Sequence, residues 1–103
     1  MEKVHHLAVV VDDIAEALSW YRVRFEIETL YEDDSWAMVL FDNVSLALVL
    51  PGKHPPHFAI EREDAEAFGP LTTHRDGTAS TYISDPWGNR IEILKAASDD
   101  RIL

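Results

Sequence analysis

The 103-residue chain contains no cysteine. That excludes disulfide bonds, thiolate metal sites and a cysteine nucleophile together. Any metal would therefore rest on histidine, aspartate or glutamate. Positive charge is also scarce. Nine Lys and Arg stand against nineteen Asp and Glu, for a formal net charge of −10. Such a chain repels nucleic acid and anionic membrane, so neither is an expected partner. A cationic or metal-bearing ligand suits it better, although an acidic surface also serves solubility alone. No apolar run approaches the roughly twenty residues that cross a membrane. No signal-peptide pattern precedes the first strand-like segment, so a cytoplasmic location is expected.

What the chain does have is apolar residues in ordered patterns. Hydrophobic residues make up 47% of it, which excludes a disordered chain. The length suits a single domain, residues 1–103, with one modest core. Small folds of this size often gain stability by pairing.

Residues 4–11 are rich in β-branched side chains and read as a buried strand. Asp12 and Asp13 stop it, and Asp13 is placed to cap a helix with Glu16 three residues on. Ile14, Ala17, Leu18 and Tyr21 recur at helical spacing, predicting a helix to Tyr21 or Arg22. Strands are predicted at 26–31, 36–41 and 44–50, with turns at 32–35 and 42–43 between them. Residues 51–56, holding three prolines, cannot continue a central strand and read as a linker. A strand at 57–61 opens a second half. Glu63 or Asp64 is placed to cap a short helix that Gly69-Pro70 ends. A short strand at 71–75, a turn at Asp76-Gly77, and strands at 79–84 and 89–94 complete it. Beyond Lys95 periodicity is lost and a polar tail is expected. The expected fold is therefore α+β: two βαβββ units, about 4–50 and 57–95, forming a curved mixed sheet around a concave site.

Chemistry-bearing residues fall on strands in a regular way. Side chains alternate between the faces of a strand. Val4, His6, Ala8 and Val10 share one face of the first strand. The bulkier Leu7, Val9 and Val11 share the other with His5 and suit packing under a helix. His57 and Ala59 oppose Phe58 and Ile60. Arg90, Glu92 and Leu94 oppose Ile91 and Ile93. Three strands thus each set a His or Glu opposite a bulky apolar row. If those faces line one cavity, two imidazoles and a carboxylate can hold a divalent metal with coordination positions left open. The plainer alternative is an exposed His6, a linker-end His57 and a surface Glu92.

The opening His6-Leu7-Ala8-Val9-Val10-Val11-Asp12-Asp13-Ile14, running into Ser19-Trp20-Tyr21-Arg22, resembles the first unit of vicinal-oxygen-chelate proteins. This is the glyoxalase, bleomycin-resistance and dioxygenase superfamily. His57-Phe58-Ala59-Ile60 resembles the start of their second unit. Asp85-Pro86-Trp87-Gly88-Asn89-Arg90-Ile91-Glu92-Ile93 is the most specific match. The resemblance covers residues 4–95 and implies metal ligands at His6, His57 and Glu92. Where some families add a fourth ligand, this chain has Ala47, or Leu48 if the register slips, and neither binds metal. That departs from glyoxalase I and leaves a three-ligand site like those of fosfomycin-resistance enzymes and extradiol dioxygenases. Fosfomycin-resistance enzymes also carry a threonine where this chain has Ala8.

The resemblance implies a metal-dependent enzyme acting on a small oxygen-chelating substrate. The ion would be Fe, Mn, Ni or Zn, and the chemistry lyase, isomerase, transferase or dioxygenase. Tyr82 is expected to orient substrate or donate a proton, and Arg90 to pair with a substrate carboxylate or with Glu92. Trp36 and Met38 are expected in the pocket wall. Extradiol dioxygenases supply an additional acid–base histidine, a place open to His54 or His74, but both are expected as loop histidines. A homodimer with sites shared between chains is the expected assembly. The alternative function is a non-catalytic module that sequesters a cationic drug, as bleomycin-resistance proteins do. A third is a degenerate domain with relic histidines.

Overall fold

The structure, a computed structural model, describes residues 1–75 and 77–96. Half of the turn read at Asp76-Gly77, and the tail from residue 97, lie outside the described residues. The chain divides into two compact units, His6–Pro56 and Met1–His5 with the chain from His57. The divisions fall inside the first strand and at the Pro56–His57 bond.

The first unit holds β1 (Val4–Val10), α1 (Ile14–Arg24), β2 (Glu28–Glu32), β3 (Trp36–Leu40) and β4 (Ser45–Val49). Its strand order is β2-β3-β4-β1, with β1 parallel to β4 and the other pairs antiparallel. Asp13 caps α1 as expected, accepting from the Glu16 N–H at 2.8 Å. The helix runs two residues past Arg22. The Phe25 N–H closes its last turn on the Tyr21 carbonyl, and the Arg24 guanidinium lies 4.1 Å from the Trp20 ring centroid. β2 begins at Glu28, later than expected, because its pairing with β3 starts at Glu28 opposite Leu40. Phe41 and Val44 belong to the turn, where the Phe41 N–H donates to the Val44 carbonyl.

One face of this sheet lies under α1. Ile14 and Leu18 pack there with Ala37, Val39, Leu46 and Leu48, and Val9 joins them. Leu18 and Leu48 are fully buried, and burying each such side chain stabilises by about 1.5–3 kcal/mol. Leu7, expected under the helix, is instead 41% exposed. The helix rests on β3 and β4, so the row it covers on β1 is that of Val9, opposite Leu48, rather than Leu7. On the other face Ala8, Met38, Ala47 and Val49 form a second buried cluster with Tyr31 and Trp36 against it. On that face His6 and Ala8 are both buried.

The second unit holds β5 (His57–Arg62), a 3₁₀ helix (Ala65–Phe68), β6 (Thr72–Thr73), β7 (Ala79–Ser84) and β8 (Arg90–Lys95). Its order is β6-β7-β8-β5, with β5 parallel to β8, the same arrangement as the first unit. The expected α+β class and the twofold βαβββ rhythm are what the structure shows, with a 3₁₀ turn as the second helix. Asp64 makes no side-chain cap there. Its carboxylate is taken by Arg62, which donates to it from Nε at 2.7 Å and from Nη2 at 3.0 Å. β6 is shorter than expected because the chain turns at His74, whose carbonyl accepts from the Gly77 N–H.

Candidate metal centre

The site begins with a turn. Asp85 accepts from the backbone N–H groups of Trp87 and Asn89, each at 2.9 Å, and from Asn89 Nδ2 at 2.8 Å. These bonds hold its carboxyl below the usual carboxylate value, the Asn89 side chain contributing most. Gly88 takes the left-handed φ of +88° that closes the turn. The turn fixes the β7–β8 register, setting Ser84 opposite Arg90 and Tyr82 opposite Glu92. On the other side of β8, His57 pairs with Arg90 and Ala59 with Glu92. His57, Glu92, Tyr82 and Ser80 consequently share one face.

His57 and Glu92 meet. Nε2 of His57 lies 3.2 Å from Glu92 Oε1, and the two side chains are only 4% and 7% exposed. A buried carboxylate needs such partners, because desolvation alone would cost it several kcal/mol. Tyr82 stands beside them, its hydroxyl 3.5 Å from His57 Nε2. Burial pushes the phenol above its ordinary pKa of 10.0, the charge of Glu92 adds to that, and Arg90 opposes it. The hydroxyl therefore keeps its proton at neutral pH. Arg90 is exposed, and its guanidinium carbon lies 5.1 Å from the centroid of the Tyr82 ring.

Two members of this cluster were not among the expected site residues. Ser80 is 1% exposed and donates its hydroxyl proton to Glu92 Oε2 at 2.6 Å. Its spacing of two from Tyr82 was a usable signal, since it places both on one strand face. His74, expected as a loop histidine, does sit in a loop, but its Nε2 lies 2.7 Å from Ser80 Oγ and 3.6 Å from Glu92 Oε2. Nothing in its sequence neighbourhood signals that reach. His54 is exposed in the linker, as expected.

In the first unit, His6 is buried on β1 opposite Ser45 of β4. Ala8 stands opposite Ala47, and Ala47 opposite Met38 of β3. Ala47 and not Leu48 is thus on the His6 face. Leu48 belongs to the core under α1. Trp36 and Met38 lie on the His6 face with Tyr31, whose ring stacks on Trp36 at 4.5 Å between centroids.

No protein-family model matches the sequence, and no curated protein matches it. Solved structures do match the fold. A glyoxalase/bleomycin resistance protein/dioxygenase superfamily member from Vibrio splendidus 12B01 aligns with TM-score 0.70 and 16% identity, covering 92% of this chain and 99% of that one. The chain has the fold of that superfamily. A hypothetical protein from Bacillus halodurans C-125 shares this glyoxalase-like fold at TM-score 0.74 and 14% identity, over 98% of this chain and 99% of that one. So does a structure described as NAD-dependent benzaldehyde dehydrogenase from Legionella pneumophila, at TM-score 0.70 and 15% identity, over 87% of this chain and 96% of that one. Likeness at these identities is of fold alone. The donor set is a separate matter: an imidazole and a carboxylate whose donor atoms converge in a nearly dry place fit Fe, Mn, Ni or Zn.

Proposed function

We propose that this chain is a divalent-metal-dependent enzyme acting on a small substrate that chelates the ion through neighbouring oxygens. The observation that carries the reading is the convergence of His57 Nε2 and Glu92 Oε1, 3.2 Å apart and almost wholly buried. His6 is assigned as the third ligand, supported by the resemblance of its strand to the superfamily's opening and by its burial. With Ala47 where a fourth ligand would stand, positions remain open for substrate oxygens.

When bound, the ion would act as a Lewis acid on a substrate oxygen, or activate dioxygen if it is iron. The chain's own groups supply the rest. Tyr82 offers a phenolic proton close to His57. Arg90 offers an exposed guanidinium to a substrate carboxylate. The low exposure of His57 and Glu92 excludes water, which strengthens every charge interaction there. The same arrangement serves lyase, isomerase, transferase or dioxygenase chemistry. A cytoplasmic homodimer belongs to this reading, and light scattering on the purified protein checks the assembly. No helix among the described residues is long and apolar enough to cross a membrane.

The formal charge of −10 favours a second reading, a non-catalytic module that holds a cationic drug. Metal analysis of protein purified without an affinity tag separates the two. The enzyme reading expects stoichiometric metal in the wild type and its loss in His57→Ala. Protein without metal that binds bleomycin tightly supports the second reading and ends the first.

A further inference from the structure

We propose that Ser80 and His74 are positioning residues that hold the Glu92 carboxylate in one orientation for metal binding. The inference rests on the metal reading above. Proton accounting gives the chain of hydrogen bonds a direction. An ionised carboxylate only accepts, so the single Ser80 hydroxyl proton goes to Glu92 Oε2, 2.6 Å away. Ser80 Oγ must then accept from its other neighbour. His74 Nε2, at 2.7 Å, therefore carries a proton.

The consequence is a carboxylate with unlike oxygens. Oε2 is held by Ser80, with His74 behind it at 3.6 Å. Oε1 faces His57 Nε2. A carboxylate held by one oxygen presents the other as a single donor, whereas a carboxylate free to rotate can swing toward the His74 ring. Hydrogen bonds to the far side of a ligand fix its orientation and raise metal affinity.

The backbone around His74 is built to aim its ring. The His74 N–H donates to the Thr78 carbonyl at 2.7 Å, and the His74 carbonyl accepts from the Gly77 N–H at 3.0 Å. These bonds turn the chain directly after β6. Ser80 follows on β7, opposite Thr72 of β6. A histidine outside any strand thereby reaches a serine inside one.

Cobalt(II) titration of the metal-free protein, read by visible absorption, tests this. The wild type should bind one cobalt. Ser80→Ala should bind it about 10–100-fold more weakly, with an altered ligand-field spectrum and an unchanged near-UV circular dichroism signal. His74→Phe should weaken binding in the same direction. His74→Gln, which keeps an N–H donor, should recover most of the affinity. The His74 pair carries the test if Ser80→Ala does not fold, since the His74 side chain is 28% exposed. Wild-type affinity and spectrum in Ser80→Ala, or in His74→Phe where Ser80→Ala does not fold, would overturn the positioning role and leave the metal reading standing. A wild type that binds no cobalt would overturn both.

Discussion

The Tyr82 ring meets the His57 imidazole edge-on, with centroids 5.2 Å apart and planes at 86°. The two residues lie on β7 and β5, and β8 runs between those strands. Glu92 of β8 stands opposite Tyr82 in the antiparallel ladder. A phenol, an imidazole and a carboxylate from three strands are thus packed together, and the charge of the carboxylate adds to the burial that raises the pKa of the phenol.

The first prediction concerns alkaline pH. Burial and the charge of Glu92 raise the folded-state pKa of Tyr82 above 10.0. Between the unfolded and folded values the folded chain keeps a proton that the unfolded chain has lost. Stability from this group is therefore complete below about pH 10 and is lost as pH rises through the raised value. Thermal melts of the metal-free protein should show that loss, and Tyr82→Phe should flatten it. Absorbance titration of the wild type against Tyr82→Phe should show that the tyrosine lost in the variant is one that ionises above the ordinary value of 10.0. A lost tyrosine that ionises at the ordinary value would refute the shift.

Acid pH tests the turn before β8. The carboxyl of Asp85 is held low by Asn89 and by backbone N–H groups. The sign is opposite to that of Tyr82. Its contribution is present above the unfolded carboxylate value and is lost as pH falls through the lowered one. Asp85→Ala should melt at a lower temperature at pH 7 and lose less on acidification below about pH 4 than the wild type. Parallel melting curves for the two proteins across that range would contradict this account of the turn.

Gly69 supplies a test of packing. Its φ is +153°, and a Cβ there would lie 2.9 Å from Thr81 Oγ1 on β7. Gly69→Ala should therefore destabilise the chain through both backbone strain and the close contact, by about 1–3 kcal/mol in urea unfolding. Adding Thr81→Ala removes the nearest atom and should return part of the loss, leaving the backbone term. Additive losses in the double variant would show that the contact contributes nothing.

Much of this was legible in the chain itself. The bounds of β7 follow directly from its apolar and β-branched run, and the capping of α1 follows from Asp13. Elements were misjudged where a partner decided them. β2 starts at Glu28 because only there does β3 offer a ladder, and β6 shrinks to Thr72–Thr73 because His74 turns away. The same reason explains Asp64. A side chain suited to capping bonds instead to a neighbouring arginine, and local pattern does not rank those two partners.

The sequence by itself determined which residues share a strand face, because the two-residue alternation is fixed by backbone geometry. It therefore set His6, His57, Glu92 and Arg90 among the candidates, the family resemblance added Tyr82, and the Asp85–Asn89 turn made the register of the last two strands readable. Only the tertiary structure decided which of them meet. His57 and Glu92 are 35 positions apart and lie 3.2 Å from one another. Ser80 and His74 join them through hydrogen bonds that strand alternation leaves open or does not reach. The helix position on β3 and β4, and not the bulk of Leu7, decided how much of that face of β1 is covered. Alternation sets the direction of a side chain, whereas its partners and its burial depend on what the folded chain brings alongside.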